Sequence, residues 1–548
     1  MHLLSLTGKQ WALRTPQAPS GIDAVRALRA QHGIVDAQID LARFRPSMSD
    51  VALDMLATAM RKKRTIGIFG DYDCDGITAS LELLRFLRRR GAEPVLRLPH
   101  RARDGYGLQV STVRSLRESG VDLLVTVDNG IVAADAVAEA RKLGMDVLII
   151  DHHRMPSSRP DANVIVHPDD VPALADAPPC AAGLMYLLLR AWEGPSWTGQ
   201  EEDVALAAIG TVADLVTLRG YNRWLVREGL AALPNLHACP LRELAQSVSA
   251  GGPLTCQDIG FRIAPRINAA GRMADPMIAL EALLHGGERL RALDALNRER
   301  QEVTEALLQE ALEDLRAKQR EGDLCLCIAS ERFPAGIVGL LAGKLTDRFG
   351  RPALVGSIQG SVCTASLRSP ACYDITAGLG RIAPLLHGYG GHAQAAGCTF
   401  AQEQFDVVQD ALCRDVAASV DPASLRPTLW LDGRLDERDV TTALLEDIET
   451  LAPHGQGNPE PVFLMEGVRL HGTRAVGKDA SHMQTNIGRA RCIAFRMGHL
   501  LPLLTGDVSV DVACRITRDG WRGDGSAQVQ IADIRLAVSR PVATVARE

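Results

Sequence analysis

Three aspartates at alternate positions, Asp71, Asp73 and Asp75, follow the apolar run Ile66, Ile68 and Phe69 and precede Gly76. The run has the composition of a short buried strand. In extended chain, side chains two apart point the same way, so the three carboxylates are predicted to converge. Carboxylates that close repel one another unless a positive charge sits between them. A divalent cation is the simplest such charge, since oxygen ligands suit hard ions. For the triplet alone, a solvated acidic turn is the alternative. Two further strand ends bear on the choice. The run Leu123–Asp128 ends in Asp128-Asn129-Gly130, and Val147–Asp151 ends in Asp151-His152-His153. Neighbouring side chains in extended chain diverge, which predicts that one histidine reaches a cation and the other faces a substrate. Asp214 is a fourth candidate, a charge inside the strongly apolar stretch Asp203–Leu218. An aspartate there is costly unless it is paired or on a metal; otherwise it caps a following helix.

These residues need a scaffold that brings strand ends to one edge. Short apolar strands are predicted at 65–70, 94–98, 123–128 and 147–151, with helices at 77–90 and 133–143 between them. Helices of that length joining short buried strands imply right-handed crossovers and a parallel sheet covered on both faces. Ligands of such sheets bind beyond the carboxyl ends of the strands. Three of the four strands thus deliver metal-type ligands to one edge, which a lone acidic turn does not explain.

At 548 residues the chain is too long for one core and implies three or four domains. Its 46% apolar and 23% charged residues are ordinary for a globular protein. No stretch approaches 18 apolar residues, and the N-terminus lacks the basic segment and apolar core of a signal peptide, so a cytoplasmic protein with no membrane attachment is expected. The twelve cysteines contain no CxxC pair, which favours reduced thiols over a zinc ribbon or disulfide framework. A net charge of −6 excludes a protein that coats nucleic acid by bulk charge; a polyanion must meet a local patch or metals. Only seven lysines accompany the arginines, so a single arginine says little.

In chain order, GDYDCDG (70–76), VDNG (127–130), DHH (151–153) and TVADLV (211–216) resemble the DHH phosphoesterase superfamily. Within it, LPHRARDGYGL (98–108), APRINAAGRM (264–273), SLRS (366–369), GYGGHAQAAG (388–397) and PHGQGNPEPVF (453–463) resemble the RecJ family of bacterial single-strand-specific exonucleases. The resemblance runs from about residue 45 to at least 465. It implies an enzyme that degrades single-stranded DNA 5′ to 3′ to mononucleotides, by two-metal phosphodiester hydrolysis, in DNA repair and recombination. A monomer served by single-strand-binding protein and a helicase is implied as well. The cofactors implied are two divalent ions, Mn²⁺ or Mg²⁺, which suit carboxylates plus one imidazole. Asp73 would hold one ion and Asp75 the other, with Asp128 bridging and His152 and Asp214 completing the second site. Asp71 would support them as a ligand or from behind one. His153 would neutralise the phosphate or protonate the leaving oxygen.

For the substrate, Arg101 is singled out from a cluster of seven arginines between 85 and 103, because its loop enters the same cleft. Arg85, Arg88, Arg89 and Arg90 are expected on the wet face of their helix. Arg266 and Asn268, among small neighbours, and Ser366, Arg368 and His392 would bind the nucleotide. The family's Trp-His before the G-I/V-V-G turn is Phe333-Pro334 here; the ring can still stack, while the polar group is lost. The fold class is α/β with a C-terminal barrel. An N-terminal segment (1–50) precedes a parallel-sheet DHH catalytic domain (51–287), a long connector helix (288–321), a second α/β domain of DHHA1 type (322–425) and an oligonucleotide-binding (OB) type β-barrel (426–548). A coiled-coil arm is the alternative for the connector. Two other functions compete: a phosphodiesterase of short oligonucleotides, cyclic dinucleotides or pyrophosphate, and a non-catalytic DNA-binding scaffold. Chain length and the β-domain weigh against the first, and the full ligand set against the second.

Overall fold

The computed structural model describes residues 4–537 except 16, 35–38, 102, 106, 195–200, 250–251, 319–322, 505–507 and 521–524. Strand β1 (Gln10–Leu13), helix α1 (Gly21–Gln31) and helix α2 (Ser49–Arg61) open the chain. An all-parallel sheet follows, made of β2 (Ile66–Phe69), β3 (Val95–Arg97), β4 (Leu123–Val127), β5 (Asp146–Ile150) and β6 (Val164–Val166). Its spatial order is β3-β2-β4-β5-β6. Crossovers run through α3 (Cys74–Arg89), α4 (Val110–Glu118) and α5 (Ala134–Lys142). Every residue of β2 and β4 is buried, so both strands read as unbroken apolar runs. The chain leaves β2 toward β3 on one side and returns as β4 on the other. The carboxyl ends of β2 and β4 therefore flank the topological switch point, where open α/β sheets have their crevice.

Helices α6 (Ala181–Glu193), α7 (Glu201–Ala213), α8 (Gly220–Ala232) and α9 (Pro240–Val248) extend the core on one side of the sheet. The arginines of α3 face this layer more than water. Arg89 pairs with Asp203 at 2.8 Å, Arg85 with Glu202 and Arg90 with Glu193; Arg88, paired with Glu93, and Arg89 remain exposed, while Arg85 and Arg90 are half-buried. Next, α10 (Cys256–Asp258), a π turn (Ile259–Ile263) and α11 (Ala264–Met273) form one continuous helical segment. Then come α12 (Met277–His285) and the 31-residue α13 (Glu288–Lys318).

The second α/β unit has the sheet order β10-β11-β9-β8-β7. Its strands are β7 (Leu326–Ser330), β8 (Ala353–Gln359), β9 (Val362–Arg368), β10 (Gly388–His392) and β11 (Ala395–Ala401), with helices α14 (Val338–Phe349), α15 (Ile375–Arg381) and α16 (Phe405–Ser419). Within the chain α13 packs on α11, α12, α14 and β7, which gives its apolar face partners without a coiled coil. Phe333 is 0% exposed, in a core with Ile337 and Leu341. It cannot stack on a base, contrary to expectation, because the fold uses the ring as packing.

After β12 (Thr428–Leu431), β13 (Gly433–Arg434) and α17 (Thr442–Glu449), five strands form the C-terminal unit. They are β14 (Phe463–Val476), β15 (His482–Ile487), β16 (Ala490–Ala494), β17 (Ser509–Arg518) and β18 (Ala527–Leu536), and pairing of β14 with β17 closes them into a barrel. The opening residues belong beside it. β1 runs parallel to β12, and α1 puts Ala24, Val25 and Leu28 into the barrel core. Thr7 Oγ1 and Trp11 Nε1 donate to the buried Asp533 at 2.8 and 2.9 Å. Trp521, the aromatic expected to stack bases from a barrel turn, and the tail beyond residue 540 lie outside the described residues. Among the described residues, no helix is long and apolar enough to cross a membrane.

Candidate metal centre and substrate cleft

The aspartate triplet converges by a route other than strand alternation. The chain leaves extended geometry after Phe69 and enters α3 at Cys74. Asp73 is the N-cap of α3, its Oδ1 accepting from the backbone N–H groups of Asp75 (3.0 Å) and Gly76 (3.1 Å). Asp75 lies in the first helical turn. Its two oxygens accept from the N–H groups of Ala181 (2.8 Å) and Ala182 (2.9 Å) at the start of α6, which aims the carboxylate. Gly76 is required here: a Cβ on it would lie 2.6 Å from the backbone nitrogen of Asp71. Cys74 faces the core, and its N–H donates to Asn268 Oδ1 at 2.8 Å.

Asp128 follows β4 with φ +62°, a left-handed conformation uncommon for a non-glycine residue. The adjacent Asn129 holds that turn by donating to the carbonyls of Phe69 and Val127, tying the ends of β2 and β4 together. Asp151 follows β5. Its Oδ1 accepts from the backbone N–H groups of His152 and His153 and contacts His153 Nδ1 at 2.8 Å, while Oδ2 accepts from Ile131 N–H. Asp214 comes directly after the last residue of α7, with its N–H still bonded to Gly210. It caps no following helix, since α8 starts at Gly220 after Arg219.

These turns bring every expected ligand together. His152 Nε2 lies 3.2 Å from Asp128 Oδ1 and 3.7 Å from both Asp75 Oδ2 and Asp214 Oδ2. Three sets of ligand atoms each fall within 4.8 Å: Asp71, Asp73 and Asp128; Asp75, His152 and Asp214; Asp128, His152 and His153. The triplet is thus divided between two groups, and Asp128 touches both the first and the histidines. The two imidazoles differ in their surroundings. His152 sits among the carboxylates, whereas His153 is turned to Asp151 and to the cleft.

Electrostatics says what this arrangement lacks. Burial, reinforced by the charge of Asp73, pushes Asp71 up to about 8. Burial also raises Asp75, Asp128 and Asp214. Among the described residues, no lysine or arginine forms an ion pair with any of these five carboxylates, and Asp71 Oδ1 and Asp128 Oδ1 are buried without a hydrogen-bond donor. Burial keeps His152 below its ordinary value, hence neutral and able to ligate. For His153 burial acts downward, but the hydrogen bond and charge of Asp151 outweigh it and push it up to about 9. Five oxygen donors and a neutral imidazole with orphaned lone pairs fit divalent Mn²⁺ or Mg²⁺, and no cysteine belongs to any of the three ligand groups found among the described residues.

Cations line the approach. Arg101 stacks its guanidinium 4.1 Å over the Tyr72 ring, beside Asp71, with its Nε buried and unpartnered. Arg272 was not among the residues singled out from the sequence. It donates to the carbonyl of Gly336 in the second α/β unit, and burial followed by repulsion from Arg101 and Arg300 lowers it to about 10. Asp73 attracts it and Arg368 repels it, so Arg272 lies within electrostatic reach of three other arginines and of one carboxylate of the cluster. Ser366 and Arg368 lie together on β9 against Gly339. His392 ends β10 and shares with His153, Asn129 and Tyr389 a cleft of about 870 Å³ between the two units. Arg266 goes elsewhere: its Nε pairs with Asp294 on α13 at 2.5 Å, so its guanidinium is engaged away from the carboxylates. Asn268 uses its amide oxygen to seat the Asp73–Asp75 turn. Asp151, which positions His153, is the other residue passed over as a site residue, although the DHH run contains it.

Comparison with known proteins agrees with this layout. The chain matches the DHH family N-terminal domain over residues 65–217, the DHHA1 domain over 323–418 and the RecJ OB domain over 431–533. It is 34% identical to the single-stranded-DNA-specific exonuclease RecJ of Thermus thermophilus over 88% of this chain and 70% of that one. The identity with RecJ of Dickeya dadantii is 32%, over 94% and 96%. Against RecJ of Bacillus subtilis it is 31%, over 89% of this chain and only 63% of the relative's length. The crystal structure of Thermus thermophilus RecJ in complex with Mn²⁺ superposes with a TM-score of 0.82 at 29% identity, covering 95% of this chain and 76% of that one. The corresponding Mg²⁺ complex gives 0.75 at 28%, covering 95% and 75%.

Proposed function

This chain belongs to the RecJ family of single-stranded-DNA-specific exonucleases, and on that premise we propose that it hydrolyses single-stranded DNA from the 5′ end, releasing mononucleotides. The observation that carries the proposal is the cage of five carboxylates and His152, uncompensated by any lysine or arginine ion pair among the described residues. We propose that Asp73, Asp75, Asp128, His152 and Asp214, supported by Asp71, hold two Mn²⁺ or Mg²⁺ ions. When bound, such ions supply Lewis acidity that favours ionisation of water and offsets charge on the phosphate. Asp128 and His152 are common to more than one ligand group, which keeps the two groups in fixed register. Asp151 holds His153 in one orientation and in its charged form, so that the imidazolium can donate to a phosphate oxygen or pass a proton to the leaving oxygen. Arg101 and Arg272 meet a phosphate next to the carboxylates. Ser366, Arg368 and His392 close the cleft from the second unit and bind the terminal nucleotide. Asn268 acts by seating Cys74, and Arg266 by bracing α11 on α13.

The proposal extends to a monomer acting in the cytoplasm in DNA repair and recombination, on strands that a helicase and single-strand-binding protein provide. A free 5′ end within duplex must be unwound before a single strand can enter, which is the reason for such partners.

The test is purified protein with Mn²⁺ given a 5′-labelled single strand, the matched duplex and a cyclic dinucleotide. Mononucleotides from the single strand alone support the proposal. Cleavage of only the cyclic dinucleotide, or of nothing, overturns it. Asp128→Ala should abolish hydrolysis while the cooperative melt is kept.

A further inference from the structure

Asp75 and Asp214 come from different helices, yet Oδ2 of each lies 3.7 Å from His152 Nε2. Ligand spacings serve a metal only when they are held to about 0.5 Å. Asp75 is aimed by the N–H groups of Ala181 and Ala182, and so by the start of α6. Asp214 opens the non-helical segment 214–218, in which Leu215 has φ +58°. A strained conformation of that kind persists only where its surroundings fix it.

One side chain grips both supports. Asn222, in the first turn of α8, is 0% exposed. Its Nδ2 donates to the carbonyls of Ala177 (3.2 Å) and Pro178 (3.1 Å), which lead into α6, and of Thr217 (3.1 Å), in the Asp214 segment. The hydroxyl of the neighbouring Tyr221 donates to the Gly183 carbonyl at 2.8 Å, so this turn of α8 holds the start of α6 on both sides of Ala181. Carbonyls so deeply placed have no water to replace a lost donor.

From the outer side the turn 455–458 closes on the same segment. Leu218 N–H donates to the Gln456 carbonyl at 2.8 Å. The contact is close: a Cβ on Gly457, itself at φ +73°, would lie 2.5 Å from Thr217 Cγ2, and one on Gly455 2.6 Å from Leu218 Cδ1. Asn458, 2% exposed, fixes the turn by donating to the carbonyls of Leu451 (2.8 Å) and Pro453 (2.9 Å).

We propose that Asn222 is a positioning residue for the ligand group Asp75, His152 and Asp214, setting the distance between its two carboxylates, and that the turn 455–458 holds the Asp214 segment against it. This rests on the two-ion reading proposed above. It gives the PHGQGNPEPVF stretch (453–463) a task at the metal centre, transmitted through Thr217 and Leu218. The group Asp71, Asp73 and Asp128 has other supports, the N-cap of α3 and the Asn129 turn, so Asn222 serves one ion and not the other.

The experiment titrates the full chain with Mn²⁺ in the absence of DNA, reading the free aqua ion by electron paramagnetic resonance. The parent should take up two ions. In Asn222→Ala one step should weaken about 10- to 100-fold, the usual cost of removing the partner of a metal ligand. The other step should stay where it was, and the melt in EDTA should remain cooperative. Gly457→Ala keeps Asn222 and presses on Thr217 from the outer side. It should weaken the same step, so the outcome does not depend on Asn222→Ala folding. Parental tightness at both steps in either folded variant, or an equal loss at both, overturns the positioning role and leaves the two-ion reading standing. A parent that takes up fewer than two ions overturns that reading, and the positioning role with it.

Discussion

Gly76→Ala sets two effects against each other whose magnitudes can be compared. Gly76 is in the first turn of α3, where alanine is the better helix former by about 1 kcal/mol. On helix propensity alone the substitution stabilises. The structure opposes this, because the new Cβ would lie 2.6, 2.7 and 2.8 Å from Asp71 N, Cβ and Cα. Two of those three are backbone atoms, which cannot swing aside as the end of a flexible side chain would. Reaching an ordinary contact of 3.4 Å needs a shift of 3.4 − 2.6 = 0.8 Å between α3 and the Asp71 segment. Overpacking of this kind costs about 1–3 kcal/mol, enough to cancel or outweigh the propensity gain. The functional cost is larger. Gly76 N–H donates to Asp73 Oδ1, so the shift is passed to a second carboxylate of the same group. Ligand constellations tolerate about 0.5 Å, and a 1 Å misplacement costs on the order of 10²-fold in rate. The expected outcome is a melting temperature changed by only a few degrees, with exonuclease turnover at saturating Mn²⁺ reduced about 100-fold and the Mn²⁺ midpoint raised. A variant that melts higher than its parent and keeps parental turnover and Mn²⁺ midpoint would refute the reasoning, since the Asp71 turn would then have slack that these contacts deny.

Metal-free protein should lose stability as pH rises. Asp71 is raised to about 8, and Asp75, Asp128 and Asp214 are raised too, so the folded state keeps protons that unfolded carboxyls release near pH 4. For Asp71 the stabilisation is complete below about pH 4 and is gone once the pH passes about 8; the other three act in the same direction. Urea midpoints in EDTA should fall across that window, and the fall should vanish with Mn²⁺, which binds the deprotonated carboxylates; midpoints rising in EDTA would contradict the proton sharing. Asn268→Leu leaves the Cys74 N–H without its acceptor, at a cost of about 1–3 kcal/mol. It should raise the Mn²⁺ midpoint, while Asn268→Asp, which keeps the acceptor, should recover most of both, as calorimetric melts and Mn²⁺ titrations would report.

What could be read in the sequence follows the range of the forces involved. β2, β4 and β5 are buried on both faces, so local composition marks them, and their carboxyl ends mark Asp71, Asp128 and Asp151-His152-His153 in advance. Asp73 and Asp75 were legible as ligand types, but strand alternation was the wrong cause of their convergence. Asp73 is an N-cap, and the signal for it was the Asp-Cys-Asp-Gly run ahead of a helical pattern. Asp214 could be read as ligand or cap from its apolar surroundings, and only packing of α7 beside α3 decides between them.

Residues that bind through tertiary context were harder. Arg266 and Arg272 stand six apart in one segment with similar neighbours, yet one turns to Asp294 and the other to the Gly336 carbonyl, within electrostatic reach of Asp73. Nothing within a few residues of either distinguishes them, because the difference is made by α13 and by Gly336 of the second unit. The same holds for Phe333, an aromatic side chain that composition cannot assign to a surface or a core. It holds again for Gln10–Leu13, whose strand exists only because Thr428–Leu431 lies beside it. Phe261 sharpens the point from the other direction. Its apolar character argues for burial, and the sequence offers no reason to expect the π turn that exposes it. The exposure is informative because local preference and tertiary structure disagree there, and the folded protein keeps the costlier arrangement on a turn packed against α7.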